Sequence, residues 1–278
     1  MKRIHLRAVV LILIALTVYS FSMQAAMACG NDCDYLERSI DIGGYKLYIH
    51  SMGRGEPAVL CDSGQGDTSE VWNKVQLEIS EKAKTVTYDR AGLGKSEASP
   101  YPRISSYMVM EWHKLLEKAK IKGPYILVGH STGGFNVRLF AAMYPKEVAG
   151  LILVDPSHEE QDARLISVLP PEVQQEIKSQ FSTEGTYEDF LKSAEQVRAT
   201  RNCLRNIPLT VITATDHGLG EECEKIWMDM QNDIASLSNR SKHIIVYGST
   251  HYIQNDRPKI VADAIKDMIK ATSGGRNL

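Results

Sequence analysis

The stretch GHSTG, residues 129–133, places a serine between two glycines, directly after an apolar run and before a segment with helical spacing. The apolar run is YILV at 125–128, which is typical of a buried strand. A strand, a tight turn and a helix in that order can present a strained serine as a nucleophile, because flanking glycines avoid clashes. The same letters also fit a helix that Ser131 merely caps. The rest of the chain has to decide between these two interpretations.

Apolar runs alternate with helical patterns on both sides of this stretch, and such alternation indicates a mostly parallel, doubly wound α/β sheet. The first two runs, at 36–42 and 45–51, alternate polar and apolar residues around a Gly-Gly pair and predict a β-hairpin. Further strands are predicted at 58–62, 84–89, 125–128, 150–155, 208–214 and 243–249, and helices at 69–82, 105–120, from the serine turn to 144, 221–237 and 257–271. Residues 157–206 break the rhythm, and we predict a helical insertion there of about two to four helices.

A serine hydroxyl is a weak nucleophile near neutral pH and needs a base, for which histidine is suited by its pKa. The chain has eight histidines. His251 follows the last predicted strand, and Ser131 also follows a strand. Because loops after parallel strands converge on one edge of the sheet, we expect the two side chains to meet there. His130, inside the turn, is expected to point away from that edge.

A third group, a carboxylate, should orient the imidazole and stabilise its charged form. Two aspartates follow predicted strands, and both satisfy the chain order Ser, Asp, His. Asp216 follows PLTVITA and is preferred, while Asp155 ends GLILVD and is the alternative. Either aspartate could instead have a structural role, as a turn former or at a strand end.

These motifs together resemble the α/β-hydrolase family over residues 36–272. Besides the serine turn, YDRAGLGKS at 88–96 is similar to the family's Asp-Arg-x-Gly-x-Gly-x-Ser loop, and STHYIQNDRP at 249–258 to its histidine loop. CDSGQGDTSEVW at 61–72 occupies the place of the oxyanion loop, with Ser-Gly-Gln instead of His-Gly-x. The resemblance implies an α/β-hydrolase fold in which the insertion at 157–206 is a cap. It also implies that the backbone amides of Gln65 and Thr132 are the two oxyanion donors.

The resemblance further implies a serine hydrolase that cleaves a small carboxylic ester through Ser131, His251 and an aspartate, with a small-molecule acyl substrate. C–C hydrolysis, perhydrolysis and lactone hydrolysis on the same residues remain alternatives, as does a catalytically silent binding protein. The serine argues against the family's dehalogenase and epoxide hydrolase branches, which use aspartate at that point. No cofactor is expected, and GLG at 92–94 lacks the third glycine of a dinucleotide-binding loop.

The chain of 278 residues carries 32 basic and 34 acidic side chains, a formal charge of −2, which gives no reason to expect nucleic acid as a partner. Its first residues have a positive start, an apolar stretch at 8–21 and the sequence Ala-Met-Ala at 26–28. This pattern predicts a signal peptide at 1–28, an exported chain, and one hydrolase domain at 29–278. The apolar stretch is shorter than the ~20 residues of a membrane-spanning helix. We expect membrane attachment only if Cys29 carries a lipid.

The chain has five cysteines. Because disulfides persist outside the cytosol, the predicted export allows these cysteines to form disulfides. Cys203 and Cys223 flank the strand at 208–214 and could form a disulfide, and Cys29 could pair with Cys33. Cys61 lies in an apolar strand and is expected to be a buried thiol. The cysteines are too scattered to predict a zinc site, so no metal is expected.

Overall fold

The computed structural model describes residues 35–273, which fold around one eight-stranded sheet. The strands lie side by side in the order β1-β2-β4-β3-β5-β6-β7-β8. Strand β2 runs antiparallel to both of its neighbours, and the other neighbouring pairs are parallel. The strands are β1 Tyr35–Asp41, β2 Lys46–Met52, β3 Ala58–Asp62, β4 Thr85–Tyr88, β5 Tyr125–His130, β6 Val148–Val154, β7 Leu209–Ala214 and β8 Ser241–Val246.

Helices cover both faces of the sheet. They are α1 Asn73–Ile79, α2 Ser105–Ala119, α3 Gly133–Met143, α4 Gln161–Arg164, α5 Pro171–Gln180, α6 Tyr187–Ala199, α7 Glu221–Ala235, α8 Ile253–Asp256 and α9 Pro258–Ser273. Helices α1 and α9 pack on one face, where Trp72, just before α1, and Ile265 belong to the same buried cluster. Helices α2 and α3 pack on the other face around Trp112 and Phe140. The predicted doubly wound α/β sheet is therefore confirmed.

The central strands are apolar almost to their ends because both of their faces are covered. All residues of β3 and β5 are buried, and so are the last five of β6. Such strands show no polar alternation, which is how continuous apolar runs identified them in the sequence. Hairpin strand β1 is mostly exposed and alternates, as expected at the edge of a sheet.

Between β6 and β7 the chain is helical, and we call residues 157–206 the cap. Helices α4, α5 and α6 lie in it, together with short 3₁₀ turns at Ile166–Val168, Phe181–Thr183 and Arg201–Leu204. Helix α6 packs on the body of the protein through buried Phe190, Ala194 and Val197. Within residues 35–273, no helix combines the length and apolar character required to cross a membrane.

The predicted pairing of Cys203 with Cys223 is wrong. Both are free thiols, as is the buried Cys61. Cys203 lies before β7 and Cys223 in the helix after it. The six residues of the strand span about 20 Å, whereas a disulfide joins Cα atoms no more than about 7 Å apart. The predicted signal peptide, Cys29 and Cys33 lie outside the described residues.

Candidate active site

Ser131 lies on a sharp turn between β5 and α3. Its φ is +52°, a left-handed conformation that is unusual for a residue with a side chain. The turn is held by hydrogen bonds from Ser131 N to Val154 O at 3.2 Å and from Ser157 N to Ser131 O at 3.0 Å. The residue at the cap position of α3 is Thr132, and no side-chain cap bond is present there. The geometry is therefore that of a strained turn rather than of a serine-capped helix.

The two glycines of GHSTG are required by close backbone approach. A Cβ atom on Gly129 would lie 2.6 Å from Gly133 O, and one on Gly133 would lie 2.5 Å from Ser63 O. Any larger residue at either position would push apart the strand, the turn and the neighbouring loop. The sequence pattern around Ser131 thus has a direct steric cause.

His251 lies in the loop between β8 and α8, and its ring is fixed by Asp155. His251 Nδ1 donates to Asp155 Oδ2 at 2.6 Å, which leaves Nε2 for another partner. Asp155 follows β6 directly, has a φ of +43°, and is completely buried. Both His251 and Ser131 line one cavity at the edge of the sheet, as predicted from their places after strands.

Asp155 has four hydrogen-bond donors around its carboxylate, enough for all of its lone-pair sites. Oδ2 accepts from His251 and from His217 Nε2 at 2.7 Å, while Oδ1 accepts from Ala214 N and Trp227 Nε1, both at 3.0 Å. Burial acts to raise the pKa of Asp155, but the hydrogen bonds and charges of the two histidines outweigh it and hold the pKa well below its usual range. The buried carboxylate is therefore ionised at neutral pH.

The preference for Asp216 as the partner of His251 is corrected by this geometry. Asp216 follows β7, lines the same cavity and is exposed, but the carboxylate that contacts the imidazole belongs to Asp155. The backbone N–H of Asp216 donates to Ser249 O at 3.2 Å and fixes the loop. The next residue, His217, is directed inward in its place and donates to Asp155.

The sequence interpretation gave no role to His217 and missed Trp227 and Glu224. His217 Nε2 faces Asp155 while its Nδ1 faces Glu224 Oε2 at 2.8 Å. Since carboxylates only accept, both ring nitrogens need a proton, and the ring is an imidazolium. Burial lowers the pKa of His217, but the two carboxylates more than offset this and raise it to about 9. The sequence did hold a signal for His217, since this histidine lies in a loop after a predicted strand and directly follows Asp216, the preferred aspartate.

His130 does not point away from the site, contrary to expectation. It lines the cavity, its Nε2 contacts His251 O at 3.0 Å, and the two rings lie 4.6 Å apart. Burial is the main cause that lowers the pKa of His130 to about 3. The ring is therefore neutral and serves to support the loop that carries His251.

The residues proposed as oxyanion donors, Gln65 and Thr132, both line the cavity beside Ser131. Neither backbone N–H donates to another backbone group within residues 35–273. Both amides thus remain available to an acceptor in the cavity. Gln65 lies in the connection between β3 and a 3₁₀ turn at Ser69–Trp72, and we call residues 63–66 of this connection the oxyanion loop.

The cavity has a volume of about 610 Å³ and lies between the sheet edge and the cap. The cap contributes four apolar side chains to its wall, Leu165, Ile166, Ile177 and Phe181. No lysine or arginine lines the cavity among the described residues, whereas two aspartates, Asp67 and Asp216, do. The imidazolium of His217 also lines it, but both of its nitrogens are already paired with carboxylates. Burial raises the pKa of Asp67. This lining suits a small, largely apolar ligand without a negative charge.

Three of these side chains also lie close enough together to be considered as metal ligands. Each of them offers one ligand atom, and these atoms lie within 4.8 Å of one another in Asp155, His217 and His251. The same atoms, however, are joined by the short hydrogen bonds described above. A metal ion would need both nitrogens deprotonated, whereas each faces a carboxylate oxygen as a donor. The arrangement is better suited to holding protons than to holding a metal.

Comparison with known proteins agrees with the observed fold. A family model for the alpha/beta hydrolase fold matches residues 57–216. The uncharacterized protein YqjL of Bacillus subtilis is 31% identical over 84% of this chain and 92% of its own length. A 2-(acetamidomethylene)succinate hydrolase of Mesorhizobium japonicum is 24% identical over 85% of this chain and 96% of its own length. A thermophilic esterase of Thermogutta terrifontis, 19% identical over 86% of this chain and 99% of its own, matches with a TM-score of 0.64, a likeness that shows the fold alone.

Proposed function

Since the chain belongs to the alpha/beta hydrolase fold family, we propose that it is a serine hydrolase that cleaves small carboxylic esters through a covalent acyl-enzyme. The observation that carries the proposal is the pairing of His251 with buried Asp155 in the cavity that Ser131 lines. A histidine held through Nδ1 by an ionised carboxylate offers Nε2 as a base. The strained turn at Ser131 presents a hydroxyl that such a base can activate.

In the proposed first step, His251 Nε2 accepts the proton of Ser131 Oγ as the oxygen attacks the ester carbonyl. The negative charge that develops on the carbonyl oxygen is stabilised by the N–H groups of Gln65 and Thr132. The alcohol leaves with the proton from His251, and the acyl group remains on Ser131. Water then attacks the acyl-enzyme with the same base and releases the acid.

The lining of the cavity supports an uncharged, apolar acyl or alcohol group in the substrate. Its cap wall is apolar, and no lysine or arginine of the described residues is present to pair with a carboxylate. A dicarboxylate such as the one in the name of the Mesorhizobium relative would meet Asp67 and Asp216 instead. We therefore place esters first, with lactones, amides and C–C bonds as the alternatives to be tested beside them.

A panel of p-nitrophenyl esters of increasing chain length, with lactones and aminoacyl amides, tests the proposal on the purified protein. We expect turnover of uncharged esters and a loss in kcat of at least roughly 10⁴-fold in Ser131→Ala. Ser39→Ala, at an exposed serine of β1, is the matched control and should retain full activity. Equal activity in Ser131→Ala, or a folded protein that hydrolyses none of the esters, would count against the proposal.

We also propose that the chain is exported, on the basis of its first 28 residues. The positive start, the apolar stretch and Ala-Met-Ala at 26–28 support cleavage before Cys29. The intact mass of the protein recovered from its source cells should correspond to a chain that begins at Cys29, with or without lipid. A mass that includes Met1 to Ala28 would refute export by this route.

A further inference from the structure

Arg90, in the loop after β4, uses all five of its N–H donors in a buried site that the proposed reaction does not employ. Nε and Nη2 donate to the two oxygens of Glu184, at 2.5 and 2.7 Å. Nη1 donates to Asp62 Oδ1 at 2.7 Å and to Ser63 O at 2.6 Å, and Nη2 also donates to Gly64 O at 2.5 Å. The guanidinium has no donor left, and its side chain is only 3% exposed.

Two of these acceptors are backbone carbonyls of the oxyanion loop. The carbonyl of Gly64 and the N–H of Gln65 belong to the same planar trans peptide group, so they point in opposite directions. Holding Gly64 O on the guanidinium therefore directs the N–H of Gln65 away from Arg90. Gln65 and Ser131 line the same cavity. The orientation of the proposed oxyanion donor is thus coupled to the position of Arg90.

The position of Arg90 depends in turn on the cap, because Glu184 lies in it. Glu184 has a side chain that is 1% exposed and binds Arg90 through both carboxylate oxygens, a geometry that fixes both groups. Its Oε2 also accepts from Gly66 N at 3.2 Å, and Gln65 Nε2 donates to Phe181 O at 3.3 Å. The cap segment 181–184 therefore contacts the oxyanion loop directly at two points, through Glu184 and Phe181, and indirectly through Arg90.

We propose that Glu184 is a positioning residue, by which the cap orients the oxyanion donor Gln65 N–H through Arg90. The same segment lines the cavity with Phe181, so a cap seated on the body supplies both the apolar wall and the alignment of the oxyanion loop. Glu184 acts through Arg90 and touches no reacting atom. This inference rests on the proposed function, since it concerns the oxyanion of that reaction.

Glu184→Gln tests the inference, because the amide keeps the shape of the side chain but loses the charge and one acceptor. We expect kcat on the preferred p-nitrophenyl ester to fall by roughly 10-fold or more, less than the ~10²–10³-fold effect of deleting a donor outright. KM should stay within about threefold. The affinity for an alkylboronic acid, whose tetrahedral adduct places an oxygen on the same donors, should fall in parallel with kcat.

Glu188→Gln is the matched control, because this exposed glutamate of the cap pairs with Lys192 at 2.8 Å, away from the oxyanion loop, and should behave as wild type. Should Glu184→Gln not fold, Glu184→Asp, which keeps the charge but shortens the side chain, weakens the same contacts with Arg90 and Gly66 and should lower kcat and boronate affinity together. If the variant that folds matches wild type in both kcat and boronate affinity, the positioning role of Glu184 is refuted. If wild-type protein shows neither ester turnover nor covalent labelling of Ser131, the proposed function itself fails, and the inference with it.

Discussion

Asp155 shows how one buried carboxylate can organise the chemistry of the whole site. Its four donors come from four parts of the chain, namely Ala214, His217, Trp227 and His251. A buried charge is stable only when it is paired and hydrogen-bonded, and both conditions are met here. The same contacts fix the tautomer of His251, because an ionised carboxylate can only accept at Nδ1.

Replacement of the two aspartates separates the carboxylate that contacts His251 from the one that was preferred on sequence grounds. Asp155→Asn should lower kcat by roughly 10⁴-fold, because the amide no longer stabilises the imidazolium or its tautomer. Asp216→Asn should stay within about threefold of wild type, since its exposed side chain is not the one that contacts the ring. Steady-state kinetics on one ester measures both. A large loss in Asp216→Asn alone would overturn the assignment.

His217 should make the fold less stable at alkaline pH. Its pKa is raised from 6.5 to about 9. The contribution of the protonated His217 ring to the free energy of unfolding is therefore fully present below pH 6.5 and is lost as the pH rises through 9. The raised pKa corresponds to about 3 kcal/mol at most. Urea unfolding at pH 6, 8 and 10 should show that the free-energy gap between wild type and His217→Gln narrows as the pH rises. A gap that is independent of pH would contradict this account.

At the scale of elements, the sequence predicted the sheet well because apolar runs report burial directly. Strand β3 was predicted at its observed bounds of 58–62, and β5 was found from YILV. The contacts of Arg90 with Glu184 could not be predicted, because they join residues 94 positions apart and depend on how the cap docks. The choice between Asp155 and Asp216 failed for a similar reason. Both follow strands, and only the path of each loop decides which side chain turns inward.

Because β7 separates Cys203 from Cys223, we expect that a reducing agent does not change the stability of the protein through this pair. A disulfide would contribute about 2–4 kcal/mol, so breaking it would lower Tm by several degrees. We expect the exposed Cys203 to react with a thiol reagent in the native protein and the Tm of wild type and Cys203→Ser to agree with or without reductant. An unreactive Cys203, or a Tm drop on reduction that Cys203→Ser lacks, would show that a bond does form.

On the scale of the whole molecule, the parallel sheet brings distant parts of the sequence to one edge. Ser131, Asp155 and His251 follow β5, β6 and β8. Strand β5 and most of β6 are buried, whereas β8 is the edge strand and is largely exposed. The cap closes this edge and adds the apolar wall of the cavity.

Covalent labelling by a fluorophosphonate tests the central claim, that Ser131 is a nucleophile activated by His251 and Asp155. We expect mass spectrometry to locate the label on the peptide that contains Ser131, with no labelling of Ser131→Ala. The rate should fall sharply in Asp155→Asn and stay near that of wild type in Asp216→Asn, because a phosphonate reacts only with an activated hydroxyl. Folded wild-type protein that remains unlabelled, or a label on another residue, would contradict the account.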